Sequence, residues 1–123
     1  TPLYSSAASD VYKRQVWRVP LLPDGSVAKV SQFFTSYGPS GPDGLAVDAE
    51  GRLLVANPGL GYVWVLNHRA EPVQVLRGAP GSSTTNLAFG GAGRTTVYVT
   101  DSTHGRILRA DMGAPGLPLA RLR

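Results

Sequence analysis

The chain has 123 residues with 12 Lys and Arg against 8 Asp and Glu, a formal charge of +4 and a pI near 9.9. It has no cysteine, which excludes a disulfide framework and a thiolate metal site, and its apolar runs of four or five residues are far short of the ~20 a membrane helix requires. The basic residues are scattered singly, whereas a surface that tracks phosphates needs them clustered on one face, so nucleic-acid binding is not expected.

Taken from the N-terminus, residues 1–15 have no strand-like spacing, and they are expected to form a non-native or disordered segment. Ser5 to Gln15 resembles translated sequencing-adapter sequence, with a native linker or a worn outer strand as the alternatives. The segment lacks the apolar core of a signal peptide. Leu3, Val11 and Tyr12 could still add a strand to an open sheet edge. Val16 to Leu21 and Val27 to Thr35 read as strands joined by the turn triplet Pro23-Asp24-Gly25. Gly44 to Val47, Arg52 to Ala56, Tyr62 to Asn67 and Val73 to Leu76 read as four more. Asn86 to Phe89, Thr95 to Thr100, Arg106 to Ala110 and Leu117 to Leu122 read as a further four. Every connection carries Gly, Pro, Asn or Asp, and no window holds a helical apolar period, so the fold class is all-β.

The last eight strands are two copies of one unit. Leu45-Ala46-Val47 answers to Leu87-Ala88-Phe89 at an offset of 42, and Val55-Ala56-Asn57 answers to Val99-Thr100-Asp101 at an offset of 44. The second copy therefore carries two extra residues between its first two strands. Val16-Trp17-Arg18-Val19 matches the third strand of each copy, which makes residues 16–37 the end of an earlier unit, 41–78 a complete one and 84–123 the last. A period of about 40 to 45 with four short strands is the signature of a propeller blade.

Within this pattern Asp43 stands out. It lies between Pro42 and Gly44, immediately before the innermost strand of its blade, beside the axis of the ring. Asp24 occupies another Pro-Asp-Gly, joins third and fourth strands on the opposite end, and reads as a turn residue only. Thr85 takes the place of Asp43 in the last copy. Loops between second and third strands share the end on which Asp43 lies, which makes Asn57 and His104 candidate pocket-lining residues. The bland readings are turn chemistry for Asn57 and an exposed loop histidine for His104. His68 is on the far end. Asp48 and Glu50 are there too, in a turn that reads as exposed. Trp17 and Trp64 recur at third-strand positions and read as packing between sheets.

Residues 16 to about 119 resemble the regucalcin/gluconolactonase family of six-bladed propeller lactonases. The resemblance is carried by Gly41-Pro42-Asp43-Gly44-Leu45-Ala46-Val47-Asp48, Leu54-Val55-Ala56 with Gly61-Tyr62-Val63, Thr84-Thr85-Asn86-Leu87-Ala88-Phe89-Gly90-Gly91, and Val97-Tyr98-Val99-Thr100-Asp101-Ser102 with Gly105-Arg106-Ile107-Leu108-Arg109-Ala110. It implies the C-terminal part of a propeller: about two four-stranded blades and part of a third, with more than half of the ring missing. It further implies a divalent cation, Ca2+ first and Zn2+ or Mg2+ as alternatives, bound at the mouth of the central channel, with a small-molecule lactone as substrate. Of the family's metal ligands (a Glu, an Asn and this Asp) only the last maps here, onto Asp43, which the family also uses as general base. The expected function is thus a metal-dependent sugar-lactone hydrolase whose isolated fragment is inactive. The alternative is a non-catalytic propeller that binds a ligand or protein across its channel face. Self-association through exposed blade faces and a soluble, cytoplasmic setting complete the expectations.

Overall fold

The computed structural model describes residues 4–10 and 12–119, in three antiparallel sheets and one 3-10 turn. The first sheet has the order β1 (Tyr4–Asp10), β2 (Gln15–Leu21), β3 (Ser31–Thr35). The second runs β4 (Leu45–Val47), β5 (Leu53–Asn57), β6 (Tyr62–Leu66), β7 (Pro72–Arg77), and the third β8 (Thr84–Gly90), β9 (Thr96–Asp101), β10 (Arg106–Asp111). The fold is all-β, and its sheets are the blades of a propeller fragment. The two extra residues of the last copy fall between β8 and β9, where the 3-10 turn Ala92–Arg94 sits with Gly93 at φ 69°.

The sheets stack face to face through the alternation of their strands. In β5 every residue is buried. Leu54 and Ala56 join Val63, Val65, Leu87, Val97 and Val99 in one core toward the third sheet. Leu53 and Val55 join Val16 and Leu66 in a second core toward the first sheet. A strand covered on both faces needs apolar residues at both parities, which is why Leu53-Leu54-Val55-Ala56 reads as an unbroken apolar run. Trp64 belongs to the core against the first sheet and meets Phe34 at 6.2 Å between ring centroids, as packing between sheets requires. Trp17 lies on the face of β2 opposite Val16 and is half-buried.

Residues 1–15, expected to stand outside the blades, contribute β1, which pairs with β2 along its whole length from Tyr4↔Leu21 to Asp10↔Gln15. Leu3 and Val11 lie outside the described residues, and Tyr12 is in the exposed turn. Main-chain ladders place few demands on side chains, so a small-residue segment of Ser and Ala can fill an open edge. The geometry repeats exactly the second-to-third strand join of the other sheets: Asp10↔Gln15, Asn57↔Tyr62 and Asp101↔Arg106 are the closing pairs.

Two expected strands differ. Val27 makes only an isolated bridge to Leu21, and the strand proper begins at Ser31. Leu117–Leu122 was expected to be the fourth strand of the last blade, but residues 117–119 form no strand, and 120–122 lie outside the described residues. Instead Gly113, at φ 72°, turns the chain away from β10. Residues 115–117 then cross the far ends of two sheets: Pro115 O accepts from Ala49 N, Gly116 N donates to Arg94 O, and Leu117 N donates to Val47 O. Pro115 and Pro118 have no N–H to give a ladder along β10. Gly116 is required at the crossing, because a Cβ there would lie 2.4 Å from the Phe89 ring.

Leu54 is wholly buried. Leu54→Ala is expected to cost about 2–5 kcal/mol in chemical denaturation, whereas Ile107→Ala, at a site 68% exposed, should cost less than about 1 kcal/mol.

Candidate functional site at the mouth of the sheets

The antiparallel order puts the start of β4, the end of β5 and the start of β6 at one end of the second sheet, and the starts of β8 and β10 with the end of β9 at one end of the third. Hydrogen bonds join these ends into one mouth. Asp43 N donates to Ala56 O at 2.9 Å, Ala56 N to Gly44 O at 2.9 Å and Gly44 N to Thr85 O at 2.9 Å. The backbone on either side of the Asp43 carboxylate is therefore fastened to its own sheet and to the next one. Gly44 makes this approach possible: a Cβ would lie 2.2 Å from Asn86 Oδ1 and 2.8 Å from its Cα. The structure thus brings Asp43 and Thr85 to the same mouth.

The Asp43 side chain differs from every other described aspartate. Asp10 accepts from Lys13 N, Asp24 from Ser26 N and Oγ, and Asp111 from Gly113 N, each within its own turn. For Asp24 the Ser26 contacts also lower its pKa, in keeping with a turn residue. Asp48 was expected to be exposed and is wholly buried, because Arg52 Nε at 2.7 Å and the Glu50 and Arg52 N–H groups satisfy it; Glu50 remains exposed. Asp43 is exposed, and its carboxylate makes no hydrogen bond or ion pair among the described residues. A Pro-Asp-Gly turn usually consumes its carboxylate in capping the backbone; here the backbone is held from outside and the carboxylate is left free.

The other sequence candidates are placed as follows. Asn57 is fully buried at the end of β5, and neither its Oδ1 nor its Nδ2 has a partner. Its carbonyl accepts from Thr84 Oγ1 at 3.2 Å. Thr85 Oγ1 shares a 2.8 Å hydrogen bond with Thr100 Oγ1, so its hydroxyl is already engaged. His104 is not a loose loop residue: its Nδ1 lies 2.8 Å from Asp101 Oδ2, with the imidazole 37% exposed. His68 is exposed at the far end.

Asp101, which the sequence showed only as the repeat counterpart of Asn57 and as part of a motif, is the most heavily bonded side chain of the mouth. It is 1% exposed. Oδ2 accepts from Ser82 Oγ at 2.9 Å, His104 Nδ1 at 2.8 Å and Arg106 Nε at 3.1 Å, and Oδ1 from Ser83 N at 3.1 Å. The signal that could have found it is positional, since Asp101 stands where Asn57 and Asp10 stand in the other sheets. Ser, His and Asp meet here, but both Ser82 and His104 point at the carboxylate. A nucleophile relay needs the imidazole between the other two, so this is a clamp and not a triad.

Among the described residues no group of three or more His, Asp or Glu side chains forms a metal cage. Asp43 fits a divalent cation as one hard, charged oxygen ligand, while Ca2+ takes six to eight. A groove of about 740 Å3 lies elsewhere, along β4, β8 and the crossing tail, with Leu45, Val47, Leu87, Phe89 and Leu117 among its lining. It is apolar and contains none of Asp43, Thr85 or His104.

A family model described as SMP-30/gluconolactonase/LRE-like region matches residues 3–110. Among solved structures, a putative gluconolactonase superposes with a TM-score of 0.77 at 28% identity, over 94% of this chain and 37% of that one. A calcium-binding protein, regucalcin, from Agrobacterium tumefaciens str. C58 superposes with a TM-score of 0.76 at 26% identity, over 96% of this chain and 46% of that one. A luciferin-regenerating enzyme shares the fold, with a TM-score of 0.76 at 23% identity over 90% of this chain and 42% of that one. The chain spans less than half the length of each. No curated protein sequence matches it significantly.

Burial by itself would raise the Asp101 carboxyl, but the hydrogen bonds from Ser83, His104, Ser82 and Arg106 outweigh it and hold the group well below the usual carboxylate range. A depressed native value means that the unfolded chain binds the proton first. The stabilisation is therefore complete above the ordinary value of 3.8 and is lost as the pH falls below it. In denaturant titrations between pH 7 and pH 2, Asp101→Asn should be less stable than the parent at pH 7, and the gap should narrow below pH ~4.

Proposed function

The chain belongs to the SMP-30/gluconolactonase/LRE-like family, and from that premise we propose that it is part of a divalent-metal-dependent lactone hydrolase in which Asp43 is a metal ligand. One observation carries the reading. Asp43 is the only described aspartate whose carboxylate is unpartnered, and it sits on a backbone anchored to its own sheet and to the next one at the mouth. An exposed, uncommitted charge on a rigid support is what a ligand position needs. The calcium-binding description of the Agrobacterium regucalcin supports Ca2+ as the cation.

When bound, the cation would supply Lewis acidity toward a lactone carbonyl. The chain's own part is narrower. Asp43 holds the cation through a carboxylate oxygen. Its unpartnered carboxylate can also accept a proton as water adds to the carbonyl carbon and the ring C–O bond breaks, giving the hydroxy acid. Thr85 contributes through its carbonyl, which holds Gly44. His104 is committed to Asp101. The remaining metal ligands belong to parts of the ring outside this chain, so the isolated chain is inactive. A non-catalytic binding propeller is the second reading, favoured by the apolar groove that avoids Asp43.

The same incompleteness governs association. The free face of the last sheet exposes Tyr98 and Ile107 at positions whose counterparts 44 residues earlier, Leu54 and Val63, are buried in the core. A second copy of the chain covers this face. Sedimentation velocity on the isolated chain should show species heavier than 13.0 kDa that grow with concentration; a monomer that melts cooperatively at a concentration-independent temperature would contradict this.

In the protein with its whole ring, gluconolactone hydrolysis should require added Ca2+, and Asp43→Asn should lower turnover about 100-fold or more. No turnover across a panel of lactones, with metal affinity unchanged by Asp43→Asn, would leave the binding propeller.

A further inference from the structure

Resting on the reading of Asp43 as a metal ligand, we propose that Asp101 is a positioning residue for Asp43 and acts through the strap of residues 82–85. The strap joins three parts of the mouth. At one end Ser82 Oγ and Ser83 N donate to the two oxygens of Asp101, and Ser102 N returns a 3.0 Å bond to Ser83 O. In the middle Thr84 Oγ1 donates to Tyr62 O at 2.6 Å, tying the strap to the second sheet. At the other end Thr85 O accepts from Gly44 N, one peptide away from Asp43.

The strap has little freedom to take up slack. Ser82 is wedged between two glycines of the second sheet: a Cβ on Gly61 would lie 2.5 Å from Ser82 O, and one on Gly78 would lie 2.6 Å from Ser82 Cβ. A shift of Ser82 therefore passes along the chain to Thr85. What keeps Ser82 in place is a charge. Asp101 is 1% exposed, is paired with the Arg106 guanidinium and is bonded to His104 Nδ1, and all its donors converge on an ionised carboxylate. An amide at this position offers one acceptor oxygen and turns N–H groups toward donors. The aspartate and asparagine at the equivalent positions do not reach a strap. Among the described residues Asp10 bonds only within its own turn, and the Asn57 side chain has no partner. The clamp is thus particular to the last sheet, whose strap is the one that reaches across to Gly44.

The test reads the far end of the strap directly. In hydrogen exchange, the Gly44 amide of Asp101→Asn should exchange at least about tenfold faster than in the parent, while the amides of Leu54 and Val65 keep their protection. Asp111→Asn, which removes an exposed cap at the other end of the last sheet, should leave Gly44 unchanged. By calorimetry with Ca2+ on the whole-ring protein, Asp101→Asn should weaken binding about tenfold. Leu53→Ala, a destabilisation in the core toward the first sheet and away from the strap, should not. If Asp101→Asn fails to fold, Ser82→Ala removes one strut alone and should still speed exchange at Gly44. Unchanged exchange at Gly44 in a folded Asp101→Asn or Ser82→Ala variant, or a Ca2+ affinity no lower than that of Leu53→Ala, overturns the proposal. Asp43→Asn separates the two claims. If it leaves Ca2+ affinity unaltered, the metal reading falls and the role of Asp101 in the site falls with it. If it abolishes binding while Asp101→Asn does not weaken it, only the positioning role falls.

Discussion

Burial of the second sheet on both faces is the constraint on which the rest of the structure depends. β5 has no exposed residue, and its two side-chain parities feed two different cores. Each blade supplies only half of what it must cover, so stability is a property of neighbouring pairs and not of single sheets. The second sheet has both neighbours within this chain and is the most completely packed. The last sheet has one, and its free face shows the consequence: Tyr98 and Ile107 stand in solvent where Leu54 and Val63 of the preceding copy are enclosed. The same arithmetic agrees with the length relation, since the chain spans 37–46% of the solved propellers it matches.

The mouth is built by backbone, and that is what leaves a carboxylate available. Turn aspartates are ordinarily occupied by the N–H groups that follow them, as Asp24 and Asp111 are. At Asp43 the residue's own N–H bonds to Ala56 O, and the N–H that follows, that of Gly44, bonds instead to Thr85 O on the next sheet. The absence of a Cβ at Gly44 allows the inner strands β4 and β8 to come close enough for the second bond. Rigidity of the support and freedom of the side chain therefore have one cause. Asp101 shows the opposite use of the same residue type, its carboxylate wholly consumed in holding a neighbouring segment.

Strand content was legible because it rests on local chemistry. Alternation, the Gly, Pro and Asx turns, and the 42- and 44-residue offsets place β4 to β10 within a residue or two of the observed bounds. Asp24 was legible as a turn residue and Trp64 as packing, because neither depends on what lies beyond the adjacent strand. The exposed reading of Asp48 failed for a nearby reason: a turn carboxylate looks solvated until Arg52 and the crossing tail close over it. β1 was legible only as an alternative, a worn outer strand or an addition to an open edge, because main-chain pairing leaves almost no mark on composition.

By itself the sequence determined the fold class, the repeat, the family resemblance and the position of Asp43 at a first-strand start, since each follows from spacing along the chain. Only the tertiary structure decided which carboxylates are free. Asp43, Asp48 and Asp101 are the same residue type in similar turn contexts. They differ because Ser82 and Ser83 bring donors to Asp101 from 18 or 19 residues away, because Glu50 and Arg52 close on Asp48, and because the Gly44 N–H beside Asp43 is taken by Thr85 O. The course of residues 112–119 was decided in the same way. Their prolines could not pair along β10, and the free N–H of Ala49 and carbonyl of Val47 were in reach, so the tail crossed the far end instead of completing its own sheet.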